Sequence, residues 1–297
     1  MKNALRYLLV TAILIPAGGA LHEGVLAQTR PPEAREGVYL LIRSDDAGMS
    51  HAVNSGTKRL LETGLPVSVS IMFPCPWYRE IVEILRDYPD ASVGAHLTLN
   101  SEWRNYRWGP VVGREAARSL VDEDGYFFHS AAELYENQPD PGEVERELRA
   151  QIERALATGL RIDYLDFHMG TATRYPEFRA IVERLGSEYG LGLSGDSGEQ
   201  MLDPQYWAEP EAKLDSLLAM VKRLEPGYHV VITHPGVNTP ELAALVDMNV
   251  DNPLANMSAH RQGELDALTS EAFAEALARH GVTPITYRQL LGVSRGR

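Results

Sequence analysis

Cysteine is all but missing from this 297-residue chain, which has one, Cys75. No intrachain disulfide framework can form. Cys75 sits in Phe73-Pro74-Cys75-Pro76-Trp77 and reads as a small packed residue rather than a nucleophile. Positive charge is also short: 28 Lys and Arg stand against 41 Asp and Glu, for a net charge of −13. That balance argues against a nucleic-acid backbone as partner, and it leaves a neutral or cationic substrate open. Long apolar runs are lacking too. The apolar stretch at residues 7–15 is too short for a comfortable membrane span. There is no internal repeat and no low-complexity domain linker. What remains is a composition of 44% hydrophobic and 23% charged residues, that of a soluble globular protein. The length allows one large α/β barrel or two ordinary domains.

The N-terminus reads as a secretory signal. Lys2 and Arg6 supply its positive region, residues 7–15 its apolar region, and Val25-Leu26-Ala27 its cleavage site. No cysteine follows to take a lipid anchor. Loss of residues 1–27 would remove Lys2, Arg6 and Glu23, one net positive charge, and take the chain from −13 to −14. The expected location is periplasmic or secreted, with no stable membrane insertion after cleavage. Residues 28–36 read as a flexible leader, and residues 37–297 as a single domain.

From residue 38 onward, strand and helix alternate. Val38-Tyr39-Leu40-Leu41-Ile42 is an apolar run suited to a strand buried on both faces. Further strands are expected at 67–72, 92–97, 162–168, 191–193, 228–233 and 284–286. Helices are expected at 54–63, 77–88, 141–158, 176–189, 211–224 and 270–280, with a last helical turn at 287–291. Asn54 could cap the first helix or point into a site. This spacing is that of βα units, and the expected fold is a single, distorted (β/α) barrel of about seven parallel strands. Residues 98–128 break the rhythm. They carry Trp103, Tyr106 and Trp108, whose flat rings suit either stacking on a sugar or covering a satellite core.

The chemistry-bearing residues fall at strand ends, where ligands bind in α/β folds. Asp45 and Asp46 end the first strand, and two adjacent acids there are costly to bury without a metal, a proton or a cation. One would hold a metal and the other would act as a base; an acidic turn capping a helix is the structural alternative. His96, His168 and His234 each end a later strand. One Asp with two His is a catalytic metal pattern that zinc, manganese, nickel and iron tolerate and magnesium less readily.

Taken together, several segments give the chain a resemblance to the YdjC-like family of chito-oligosaccharide deacetylases, related in architecture to NodB-type polysaccharide deacetylases. They are Ser44-Asp45-Asp46-Ala47-Gly48-Met49-Ser50, Gly94-Ala95-His96-Leu97, Leu165-Asp166-Phe167-His168, Thr233-His234-Pro235-Gly236 and Arg261-Gln262-Gly263-Glu264-Leu265-Asp266. The resemblance implies that Asp45 is the general base and that Asp46, His96 and His168 bind one divalent metal ion. Zinc is the first expectation, with magnesium, manganese, nickel or cobalt as alternatives. His234 would protonate the leaving amine. Asp166 would support His168 from behind, because alternate strand residues share a face. Arg261, Trp103 and Trp108 would bind the substrate, although Arg261 could instead pair with Glu264 on a helix. Two departures stand out. Gly170 occupies the second position of a usual His-x-His, and Ala47 replaces an aromatic residue. The His-x-x-x-His ligand pair of NodB-type enzymes is absent.

The implied reaction is metal-dependent removal of N-acetyl groups from amino-sugar oligosaccharides or polysaccharides. Two alternatives stand beside it. One is another metal-dependent amide or ester hydrolase, or a phosphoesterase, on the same barrel. The other is a non-catalytic secreted carbohydrate-binding protein.

Overall fold

The computed structural model describes residues 37–249 and 256–292. The signal and leader segments expected at 1–27 and 28–36 lie outside the described residues. Eight strands form one sheet: β1 Val38–Ala47, β2 Val67–Ile71, β3 Ser92–Leu97, β4 Ile162–Phe167, β5 Gly192–Leu193, β6 Gln200–Leu202, β7 Gly227–Thr233 and β8 Val282–Ile285. The helices are α1 His51–Leu61, α2 Tyr78–Arg86, α3 Ala131–Glu136, α4 Pro141–Leu156, α5 Pro176–Tyr189, α6 Lys213–Val221, α7 Pro240–Ala243, α8 Met257–Leu268, α9 Glu271–Arg279 and α10 Tyr287–Leu290.

Every ladder is parallel, and the strands run in the order β5-β4-β3-β2-β1-β7-β6. Strand β1 is the axis. One edge pairs with β7 from Val38 to Ser44. The other edge is shared: β8 takes Val38 to Leu41, and β2 takes over from Ile42. Among the described residues no ladder joins β5 to β6, so the sheet curls into a barrel left open on that side. Because all strands are parallel, every C-terminus emerges at the same end.

Alternation along β1 explains both of its faces. Leu40 and Ile42 pack into the large core under the helices, while Leu41 joins Tyr164, Val230, Ile285 and Tyr287 in a smaller cluster on the other face. Gly94 is required there: a Cβ at that position would lie 2.4 Å from the Tyr164 ring. Tyr164 in turn stacks on Tyr287 at 4.3 Å. Above this layer the same face turns polar, with Arg43, Asp45, His96 and Asp166, all buried.

Local chemistry sets the helix ends. The Ser50 hydroxyl accepts from the Val53 amide at the start of α1, and Asp140 caps α4 with Pro141 behind it. Gly190 closes α5 in the left-handed region, with φ 66°. Cys75 is buried, as expected of a packed residue. Four elements had no counterpart in the sequence pattern: the short helices α3 and α7, strand β6 and helix α8. Strand β6 spans three residues and is mostly exposed. Helix α8 buries Ser258, His260, Arg261 and Glu264 among its apolar residues, so its inward face carries no apolar stripe.

Candidate active site

The first strand ends in a deliberate irregularity. The β1–β2 register shifts between Ser44 and Ala47, and Asp46 sits at φ 61°. A left-handed aspartate costs on the order of 1–3 kcal/mol and persists only where its surroundings hold it. Bulges of this kind re-aim side chains. Here the result is that both Asp45 and Asp46 line one cavity, although neighbours on a regular strand point to opposite faces. The turn that follows is braced by Asn54, which serves neither as cap nor as ligand. Its Oδ1 accepts from the Gly48 amide at 2.7 Å, and its Nδ2 donates to the Trp77 carbonyl and to Glu80.

The cavity measures about 310 Å³, and Asp45, Asp46, His96, His168, His234, Trp103 and Arg261 all line it. Strand β3 delivers His96, the turn after β4 delivers His168, and the turn after β7 delivers His234. Helix α1 presses against that last turn, where a Cβ on Gly56 would meet the Gly236 Cα at 2.7 Å. Glycine at position 56 is what permits the approach.

Asp46 Oδ1 faces His168 Nδ1 at 3.2 Å and His96 Nε2 at 3.5 Å. It is buried and has no aligned hydrogen-bond partner. Three donors at such separations suit one ion with bonds of about 2.0–2.1 Å, which holds its ligands about 3.0–3.4 Å apart. The group Asp45, His96 and Asp166 also lies within ligand range, but a cation already serves it. Arg43 donates from Nε and Nη2 to the two oxygens of Asp45, each at 2.7 Å, and its Nε lies 3.2 Å from Asp166. The donors free to hold a metal are therefore Asp46, His96 and His168.

Each histidine has a carboxylate behind it. His96 Nδ1 lies 3.0 Å from Asp166 Oδ2. The acid behind His168 is Glu102, whose Oε2 is 2.9 Å from Nε2. Asp166 thus supports His96 on the neighbouring strand, opposite which it is registered, and not His168 as expected. The two histidines turn opposite nitrogens toward Asp46, Nε2 from His96 and Nδ1 from His168.

The charges show why an ion fits. Asp45, Asp46, Glu102 and Asp166 are buried and face two buried guanidinium groups, Arg43 and Arg261. Two negative charges are left over. Without an ion, protons make up the difference. Burial lowers the His96 pKa, but the charges of Asp166 and Asp45 outweigh it and raise it to about 10. Burial opposes Glu102 and Asp46 at His168 in the same way, and they carry it to about 9. Burial pushes the Asp46 carboxyl up, yet Arg261 and the two histidines hold it well below the carboxylate range. A divalent ion would stand in for those two protons.

The remaining expected residues divide. Arg261 Nη2 donates to Asp46 Oδ2 at 2.6 Å, while its Nε and Nη1 have no hydrogen-bond partner. Its partner is thus Asp46 rather than Glu264, and two of its buried donors are left unpaired. Trp103 is a cavity wall, 6.0 Å from the Arg261 guanidinium. Trp108 is not at the cavity surface. It is buried behind His168, with ring centroids 6.0 Å apart, and its indole N–H donates to the Asn100 carbonyl. His234 donates its backbone N–H to Glu264 at 2.6 Å, and its ring meets Tyr206 edge-on at 5.7 Å. Gly170 lies in a left-handed turn at φ 68°, with open space where a Cβ would stand. Sequence reasoning missed Glu102 and Tyr206 and did not foresee that Arg43 would clamp Asp45. The placement of Arg43 two residues before Asp45, on the same strand face, was the one available signal.

Comparisons with known proteins find relatives over most of the chain. Residues 39–279 match the family described as YdjC-like protein. A carbohydrate deacetylase from Thermus thermophilus is 32% identical over 70% of this chain and 81% of its own length. One from Geobacillus stearothermophilus is 27% identical over 84% of this chain and 97% of its own length. A crystal structure from Enterococcus faecalis V583, described as that of a candidate cellobiose-phosphate cleavage protein, superposes with a TM-score of 0.71 at 25% identity. It covers 86% of this chain and 99% of that one.

Proposed function

The chain belongs to the YdjC-like family, and from that premise we propose that it is a metal-dependent carbohydrate deacetylase that removes N-acetyl groups from amino sugars. The observation that carries this reading is the convergence of Asp46, His96 and His168 on one point of a cavity that Asp45 and His234 also line. The relatives named carbohydrate deacetylase support the substrate class.

Asp46, His96 and His168 would hold the ion. When bound, it supplies Lewis acidity, polarising the acetyl carbonyl and acidifying a water molecule. Asp45, oriented by Arg43, accepts the proton of the attacking water. The spare Nε–H and Nη1–H of Arg261 offer hydrogen bonds to an oxygen that gains charge. His234 gives a proton to the departing nitrogen. The amide C–N bond breaks, water supplies the new C–O bond, and the products are acetate and a free amine. The cavity lining has five carboxylates against one guanidinium, so even with a divalent ion bound it keeps a net negative charge, a field that disfavours a phosphate dianion relative to a neutral acetamide.

The test is substrate class. Metal-loaded protein should release acetate from N-acetylated amino sugars and leave phosphorylated sugars intact. Phosphate release without acetate release would overturn the proposal.

A further inference from the structure

A ring stands in solvent beside this cavity. Trp207 is 66% exposed, more than any other large hydrophobic side chain among the described residues. Its ring meets Tyr206 at 4.9 Å and 81°. Tyr206 lines the cavity and meets His234 in turn. Three rings in contact therefore lead from His234 to the outside. In the aromatic segment at 98–128, Trp103 and Trp108 are enclosed, and the exposed ring of Tyr126 is not among the cavity-lining residues.

The turn that carries Trp207 is fastened. Lys213, itself buried, donates from Nζ to the carbonyls of Gln205 at 2.7 Å and Tyr206 at 3.4 Å. The Tyr206 amide donates to Asp203, Gln205 Nε2 donates to the Lys213 carbonyl, and the Ser216 hydroxyl donates to the Pro204 carbonyl. Lys213 also pairs with Glu264 at 3.4 Å, and Glu264 holds the His234 amide. A buried ammonium is a costly anchor unless its protons are satisfied, and here three acceptors surround it. The same network thus places His234 and fixes the exposed tryptophan relative to it.

We propose that Trp207 is the platform of a second sugar subsite, which stacks the ring adjoining the acetylated residue. The inference rests on the deacetylase reading above. The cavity, at about 310 Å³, is at the small end of ligand pockets. It suits one acetylated sugar, so a neighbouring sugar must lie outside it. Past His234, the surface on that path is Tyr206 and then Trp207. Flat aromatic faces pack on the apolar faces of pyranose rings, and a pre-positioned ring loses little entropy in doing so.

The experiment compares wild type, Trp207→Ala and Trp207→Phe on N-acetylglucosamine and its β-1,4-linked tetrasaccharide, scored by acetate release. Trp207→Ala should lose about tenfold in kcat/KM on the tetrasaccharide, with a smaller loss on the monosaccharide, and Trp207→Phe should recover most of it. An unchanged ratio between the two substrates in Trp207→Ala would overturn the subsite. If wild type releases acetate from neither sugar, the deacetylase reading has failed. The subsite is then judged by calorimetric titration of the tetrasaccharide. Binding weakened tenfold in Trp207→Ala but kept in Trp207→Phe supports it, and absence of saturable binding overturns it.

Discussion

Glu102 gives the sharpest test of how this site holds an ion. Its Oε2 sits 2.9 Å from His168 Nε2, fixing the ring so that Nδ1 faces Asp46. Glu102→Gln keeps an acceptor of the same shape and removes one charge. A unit charge and a divalent ion about 6 Å apart, across an imidazole ring, interact by about 5 kcal/mol at an effective dielectric of 20, an upper bound. Losing the acid behind a ligating histidine typically costs 10- to 100-fold in metal affinity, or about 1.4–2.7 kcal/mol. Calorimetric titration of metal-stripped protein with zinc should therefore show the Kd of Glu102→Gln raised by that factor. Glu102→Ala should lose more, because it leaves a buried imidazole nitrogen unpaired. Melting curves in chelator show whether each variant is folded. A folded Glu102→Gln that binds zinc as tightly as wild type would refute the reasoning.

Further outcomes are expected. Glu147 accepts from the Val111 and Val112 amides and from Gln151, so Glu147→Gln should place an amide NH2 against a backbone N–H and destabilise the fold by about 1–3 kcal/mol in denaturant titrations. Burial raises the Glu147 pKa above its ordinary 4.5, with backbone and Gln151 hydrogen bonds opposing. The fold therefore takes up a proton at a pH where the unfolded chain does not, and wild type should gain stability relative to Glu147→Gln as pH falls from neutral toward 4.5; a gap that narrows instead would reverse the sign. Chelation should lower Tm, since an ion at 1,000 times its Kd contributes about 4 kcal/mol, and re-addition of zinc should restore it. Finally, N-terminal sequencing of exported protein should begin at Gln28, while an intact Met1 would contradict signal cleavage.

Most of the site was legible because its residues end strands that read plainly. The apolar run before Asp45 and the short strands before His96, His168 and His234 placed four elements, and a parallel sheet sends their ends to one side. The rest had no pattern to read. Glu102 lies in an irregular segment where neither period applies, and it is held by the backbone pairing of 102–104 with Val246, Asp247 and Met248 and by its contacts with Asn100 and His168. Helix α8 hid itself because Arg261, Glu264 and His260 point toward the site where an apolar stripe would otherwise be. The tryptophans divide for a related reason. Clustered rings suited either stacking on a sugar or covering a satellite core; Trp103 lines the cavity, whereas Trp108 finds a partner for its N–H inside and packs behind a histidine. The exposed ring beside the cavity sits instead in the unpatterned turn after β6. Asp166 was correctly placed behind a histidine, but the wrong one, because cross-strand register cannot be read from spacing within a strand.

The central claim is that one ion on Asp46, His96 and His168, with Asp45 as base, drives deacetylation. It is tested most directly by titrating metal-stripped protein with zinc while following acetate release from an N-acetylated oligosaccharide. Activity should rise to a plateau at one ion per chain. Asp45→Asn, which keeps the ligands, should bind the ion yet lose about 100- to 10,000-fold in rate. Full activity in the metal-stripped protein, or an unimpaired Asp45→Asn, would contradict the claim.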